Sequence, residues 1–259
     1  MHTTVIAGGT RGIGGALAER LRRDGGRVIA LGSADADLSS VRQTLDLTTR
    51  LPDRVDALVL SAGRFGHRRV VTEEGLEQTF AISVLARYLL TERLRPALER
   101  SPAPVVLNLC GTGGIRGGRI HWDDLQLARR YRMFTAILQG ARANDLLGAG
   151  FAARHPDSRI RYVLYNPLFV DSGMHRHLRQ PARTLVGTLA RLFAAAPADA
   201  AAPLADLLAR PPAAPLTALR RGVPVPLTGP AFDPDAAARL YRVLAGLTAG
   251  AEAGSAGEA

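Results

Sequence analysis

The sequence predicts an α/β fold of Rossmann type, a single domain built on a doubly wound parallel sheet with helices on both faces. Three observations predict it. Short apolar, β-branched runs alternate with longer stretches of helical periodicity. A glycine-rich loop, "AGGTRGIGG" at residues 7–15, stands between the first strand pattern and the first helix pattern. The 259 residues, 47% of them hydrophobic, suffice for one substantial core, and no linker, charge block or repeat divides them.

The elements follow in order. "TTVIAGG" is a strand ending in glycine. "GIGGALAERLRRDGG" spaces Ile13, Ala16, Leu17 and Leu21 as one helical face and stops at Gly25. "RVIALG" is the second strand. "DALVLSAG" is the third, apolar through its middle, as a strand covered on both faces should be. "EEGLEQTFAISVLARYLLTERLRPAL" is a long amphipathic helix, and "APVVLNLCG" a fourth strand. A helix is expected over about residues 128–153, then the strand "RIRYVLYNP", closed by Pro167. Right-handed crossovers give a parallel sheet, and ligands of such sheets bind beyond the carboxyl ends of the strands. Residues 8–14, 61–63, 110–114 and 166–172 therefore share one rim. Tyr162 and Tyr165 are an odd number apart on one strand and should face opposite sides. The domain is read as residues 1–248, and the low-complexity end "AGAEAGSAGEA" from Ala249 as a disordered tail.

Composition excludes several classes. The single cysteine, Cys110, rules out an internal disulfide and fits a reducing interior. No charged start with a long apolar run marks a signal peptide, and no apolar run reaches membrane length, so a cytoplasmic protein is expected. The net charge is +10, yet all 33 basic residues are arginine. No lysine is available as proton relay, Schiff base or phosphate clamp. The arginines scatter over helices without interleaved aromatics, which argues against nucleic acid as partner. Asp123 and Asp124 read as caps of a surface turn. His175 and His177 form an H-x-H without a third ligand, so no metal site is expected.

The glycine loop places Gly8, Gly12 and Gly14 where a pyrophosphate can approach the backbone at a helix N-terminus. "AGGTRGIG" is similar to the TGxxxGIG of the short-chain dehydrogenase/reductase family, with Ala7 for the threonine. "LDLT", "LSAG", the long helix, "GGRIHWDDLQLARRYRMF" and "PLFVDS" resemble further segments of its retinol-dehydrogenase-like branch, from about residue 3 to residue 247. The resemblance implies a nicotinamide nucleotide held by Gly8, Arg11, Gly12, Ile13 and Gly14. It adds Ser33 at the second strand's end, Asp46 and Leu47 beside the adenine, Ser61, Ala62 and Gly63, and Pro167, Val170 and Ser172. NADP(H) is favoured over NAD(H): the second strand ends "LGS" without a carboxylate, and Arg11 suits a 2′-phosphate, although Asp35 and Asp37 stand close by.

The same resemblance implies an Asn-Ser-Tyr-Lys tetrad, and here its positions hold Ser83, Gly111, Ile137 and Ala141. Gln139, Ala143 and Asn144 support that register, and the absence of any lysine rules out a shifted one. Thr112, Tyr165 and His175 are the candidates left near the rim, with Asn166, Ser172, His177, His121 and Asp171 behind them. Three readings stay open. One is reduction of an activated C=N or C=C electrophile by a repurposed tailoring enzyme, in a setting of specialised metabolism. The second is a redox-neutral cyclase, dehydratase or isomerase using the old cleft. The third is a non-catalytic nucleotide-binding scaffold or sensor. A small-molecule substrate is expected under a lid at about residues 173–196, whose basic and apolar composition suits an acidic or amphipathic ligand. The resemblance also implies a homodimer or homotetramer, paired through the helices at 73–99 and 128–153.

Overall fold

The chain was analysed as a computed structural model, which describes residues 2–112, 118–168 and 196–256, apart from the side chains of 250–256. β1 (Thr3–Ala7), β2 (Arg27–Leu31), β3 (Ala57–Leu60), β4 (Val105–Leu109), β5 (Arg161–Asn166), β6 (Leu216–Arg220) and the two-residue β7 (Val223–Pro224) form one sheet in the order β2-β1-β3-β4-β5-β6-β7. All its pairs are parallel except β6 with β7. Side chains alternate across it: Val5 and Ala7 enter one core, Ile6 the other. Under one face lie α1 (Gly12–Arg23) and α5 (Pro197–Ala209). The other face carries α2 (Val41–Thr49), α3, α4 (Met133–Arg154) and α6 (Pro234–Ala256). α3 is one rod made of Gln78–Phe80, a π-helical turn Ala81–Leu85, and Ala86–Glu99. The chain runs from β1 out to β2, then crosses back to β3 on the other side of β1. That switch opens a crevice between the carboxyl ends of β1 and β3.

Four expectations need correction. Asp46 and Leu47, expected beside the adenine, lie within a helix, α2, with Asp46 exposed and Leu47 in the core. The reason is local. Ser40 caps this helix by accepting from the Gln43 N–H at 3.3 Å, and the Glu74 carboxylate accepts from Val41 and Arg42 at 2.7 and 3.0 Å. Val41, Thr44, Leu45 and Leu47 then fall on one buried face. α4 begins at Met133, so Tyr131 precedes it and donates its hydroxyl to the Gly66 carbonyl at 2.9 Å. The tail read as disordered from Ala249 is helical to Ala256, because its alanines favour continuation of α6. Finally, α4 is not free to pair with a second copy along its whole outer face. Tyr241 of α6 donates to the Leu147 carbonyl at 3.0 Å, and its ring fills the notch at Gly150, where a Cβ would collide with it.

A buried cation ties the pieces beneath the rim. Arg87 of α3 is 7% exposed. Its guanidinium donates to the Ala62 carbonyl at 2.9 Å, the Leu109 carbonyl at 2.6 Å, Asn108 Oδ1, and Asn144 Oδ1 at 3.3 Å. Asn108 Nδ2 in turn donates to Asn144 Oδ1 at 2.9 Å and to the Tyr162 hydroxyl at 3.0 Å. Asn144 Nδ2 donates to the Ser83 carbonyl in the π-helical turn at 2.9 Å. Burial pulls the Arg87 pKa down, but a guanidinium starts so high that it stays charged.

Arg87→Met removes the donor and leaves the carbonyls of Ala62 and Leu109 buried without it. It is expected to cost about 3–5 kcal/mol in urea unfolding, with Arg87→Lys losing less. Gly150→Val drives the Tyr241 ring from its notch and is expected to cost about 1–3 kcal/mol in the same measurement.

Candidate functional site

The crevice between β1 and β3 is lined by the glycine loop, and its glycines are there for want of room. Gly8 has φ +82°, and a Cβ on it would lie 2.6 Å from the Ala62 nitrogen. A Cβ on Gly14 would collide with the Gly8 carbonyl and the Ser61 hydroxyl. Gly12 also has positive φ, 58°. Ser61 Oγ donates to the Ala7 carbonyl at 2.9 Å and reaches that of Gly8 at 3.2 Å, so its hydroxyl ties the end of β3 to β1 and the loop. α1 opens at Gly12 with no side-chain cap and no acidic residue in its first turn. The N–H groups at that end, including those of Ile13 and Gly14, thus face the crevice side as an uncapped positive dipole end suited to a phosphate. This cradle fits the pyrophosphate of a dinucleotide.

The end of β2 is mixed in charge. Ser33 is exposed there, as is Arg11 at the mouth of the loop. The Asp35 carboxylate folds back on the same strand end and accepts from the Gly32 N–H at 2.7 Å. A carboxylate and a guanidinium both stand where the nucleotide's ribose is expected, so the absence of an acid in "LGS" does not carry over into space. Gly63 is exposed at the end of β3, and a Cβ on it would touch only the Phe65 ring.

Of the four positions that the resemblance equates with a tetrad, Ser83 is buried, its hydroxyl donating to the Thr79 carbonyl and facing Gly140 across to α4. Gly111 stands at the end of β4, and Ile137 and Ala141 are half-buried on α4. Thr112 is fully buried, its carbonyl held by Asn166 Nδ2 at 2.9 Å, while Asn166 Oδ1 accepts from the Leu168 N–H at 2.9 Å. Asn166 thereby clamps the ends of β4 and β5 together, and Leu168 takes a left-handed φ of 60° just after Pro167. Tyr165 is a core residue: it packs with Leu17 and Leu204 on the α1/α5 face, opposite Tyr162, as their odd spacing requires. Its candidacy at the rim is withdrawn.

Two groups of this region were not legible as site residues. Asp145 lies on α4 four residues past Ala141 and eight past Ile137, on nearly the same face. Burial pushes its carboxyl up to about 6, against the pull of the nearby Thr112 hydroxyl and Arg142. The Cys110 thiol opposite is pushed up to about 12 by burial and by the Asp145 charge, which leaves it unreactive as a nucleophile. Arg87 is the other, a cation set behind Cys110.

Val170, Asp171, Ser172, His175 and His177, and the expected lid, lie outside the described residues. Asp124 caps its turn as expected, accepting from Ala128 and Arg129 at 2.7 and 3.1 Å. Among the described residues no three metal-binding side chains cluster, and no helix is long and apolar enough to cross a membrane.

No protein-family model matches the chain. It is 31% identical over 192 residues to a Streptomyces protein assigned as a daunorubicin C-13 ketoreductase, covering 64% of this chain and 65% of that one. It is 30% identical over 159 residues to dehydrogenase/reductase SDR family member 12 of Bos taurus, covering 61% of this chain and 49% of that one. The chain thus spans about half to two thirds of the length of these relatives. Among solved structures, a 3-alpha-hydroxysteroid dehydrogenase from Pseudomonas complexed with NADH superposes with a TM-score of 0.67 at 22% identity, over 85% of this chain and 96% of that one. Human retinol dehydrogenases are also among its relatives. In sheet order, glycine cradle and relatives alike, the chain is similar to short-chain dehydrogenases/reductases, retinol dehydrogenases among them.

Proposed function

We propose that this chain is a nicotinamide-dependent oxidoreductase that binds NADP(H) and reduces an activated C=N or C=C electrophile. The observation that carries the reading is the cradle, in which Gly8 and Gly14 have no room for a Cβ against Ser61 and Ala62 beside an uncapped helix end. In this reading Gly8, Gly12, Ile13 and Gly14 hold the pyrophosphate and Arg11 the 2′-phosphate. Ser33, Ala62, Gly63, Pro167, Val170 and Ser172 border the rest of the nucleotide. When bound, the nicotinamide supplies a hydride; the chain's task is to hold and orient the acceptor beside it.

The substrate class follows from what the rim lacks. A ketone needs a proton donor at the position here held by Ile137, and no lysine exists to tune one. An iminium carries its own positive charge, and a conjugated carbonyl spreads the negative charge it gains. The small or apolar Gly111, Ile137 and Ala141 leave space for a bulky molecule of that kind. The names of the relatives, a ketoreductase and a dehydrogenase/reductase, support redox chemistry over a redox-neutral or scaffolding role.

Calorimetric titration with NADPH and NADH tests the cofactor. NADPH is expected to bind the wild type, and Gly14→Val to abolish binding of both nucleotides. Arg11→Ala is expected to weaken NADPH by roughly tenfold, about 1.4 kcal/mol, while sparing NADH. Equal losses for both nucleotides would remove the 2′-phosphate from the reading. A wild type that binds neither would end the oxidoreductase proposal.

A further inference from the structure

Most of the arginines scatter, but at one corner of the carboxyl end of the sheet exposed arginine and exposed apolar side chains gather on two segments. One is residues 64–71, "RFGHRRVV", which leaves the end of β3; the other is residues 128–134, "ARRYRMF", which leads into α4. The chain holds the two together. Tyr131 donates its hydroxyl to the Gly66 carbonyl at 2.9 Å, and Arg69 Nε donates to the Gln126 carbonyl at 2.8 Å. The Glu77 N–H, on the residue bridged to Val71, donates to Gln126 Oε1 at 2.6 Å. Asp124 feels the charges of both Arg129 and Arg69, so the arginines of the two segments are neighbours.

Arg64, Arg68, Arg129, Arg130 and Arg132 are exposed, and no carboxylate among the described residues lies within ion-pair distance of them. Of the acids adjacent in sequence, Asp124 is engaged in capping its turn and Glu74 in capping α2, which leaves the exposed Asp123 and Glu73. The corner is therefore strongly positive. It is also apolar: Val70 and Val71 are 45% and 49% exposed, and Phe134, in the first turn of α4, is 69% exposed. The combination narrows the occupant. A two-fold contact with a second copy would set these arginines against their own images. A nucleic acid would use the charge but not the valines, which offer no face for a base to stack on. A protein anchor needs a pocket to enter, whereas these apolar side chains project outwards from a loop and a helix start. A lipid surface needs no shaped complement: its anionic phosphates complement the guanidiniums, and the hydrocarbon beneath accepts the protruding apolar groups.

We propose that this corner is a docking surface for a membrane rich in anionic phospholipid, with Phe134, Val70 and Val71 entering the headgroup layer and the arginines beside them resting on its phosphates. The chain then lies on the bilayer without crossing it. That no described helix is long and apolar enough to span a membrane bears on crossing alone. Charge draws the chain to the surface and the apolar side chains hold it there, so both components are required. The proposal asks nothing of the nucleotide crevice and stands or falls apart from the reduction.

The test is co-sedimentation of the whole chain with vesicles of phosphatidylcholine alone and of an equal mixture of phosphatidylcholine and phosphatidylglycerol. Binding is expected to the mixed vesicles and not to phosphatidylcholine alone. Arg130→Gln combined with Arg132→Gln should weaken it by more than about tenfold, since each basic residue near an anionic surface strengthens binding roughly fivefold. Phe134→Ser should weaken it roughly tenfold at unchanged charge. All three side chains are exposed, so these variants should keep the wild-type midpoint in urea unfolding. Arg23→Gln combined with Arg27→Gln removes the same charge from exposed positions at the amino end of the sheet, and should bind as the wild type does. A wild type that ignores the mixed vesicles overturns the proposal. So does a loss that the Arg23 and Arg27 variant reproduces, which marks net charge alone. Binding indifferent to Phe134→Ser also overturns it, because the corner then takes polyanions without entering lipid.

Discussion

The rim depends on a full positive charge held inside the protein. Arg87 meets neutral oxygens, and two of them are the main-chain carbonyls of Ala62 and Leu109, at the ends of β3 and β4. Both terminal nitrogens of this buried guanidinium are matched while its Nε is not, so losing either carbonyl would leave more of the charge uncompensated, and these strand ends have little freedom to move independently. The constraint passes outward through Ala62. Its carbonyl is held by Arg87 from behind, and its nitrogen lies so close to Gly8 that no side chain fits there. Gly8 in turn abuts Gly14 at the start of α1. A charge on α3 thereby supports the shape of a phosphate cradle on the far side of β3.

The fold was legible because its signals are local. A strand covered on both faces reads as an apolar run, and a loop that must admit a phosphate needs glycine whatever surrounds it. The parity of Tyr162 and Tyr165 was enough to put them on opposite faces. The "LDLT" segment was misread for an equally local reason. Matching four letters to a family segment ignored Ser40 as a cap and the helical spacing of Val41, Thr44 and Leu45. Asp35 was legible as a counterweight to the NADP(H) preference because it stands close to "LGS", and one turn does bring its carboxylate back to Gly32.

Arg87 and Asp145 were not legible because a charged residue in a helix ordinarily means a solvated face. Both interrupt apolar stretches, "VLARYLL" and "ANDLLG", and that interruption was the available signal. Whether such a residue lies outside or is buried depends on which helix covers it, and α6 covering α4 is a tertiary fact. Ser83 shows the converse. The resemblance equates it with a tetrad position, but in the π-helical turn its hydroxyl is engaged in a back-bond to the Thr79 carbonyl.

The chain contains no lysine, so every side-chain cation in it other than histidine is a guanidinium. An ammonium on a flexible stem can move with its ligand and change its protonation state. The cation here is a guanidinium fixed by several acceptors behind Cys110, and it can do neither. Its charge contributes a constant field beneath the rim, felt by the Cys110 thiol together with the Asp145 carboxyl, which burial raises to about 6. A cation held in this way provides preorganised electrostatics with little local adjustment. The residues at positions 111, 137 and 141 are small or apolar, so none of them adds a charge of its own to that field.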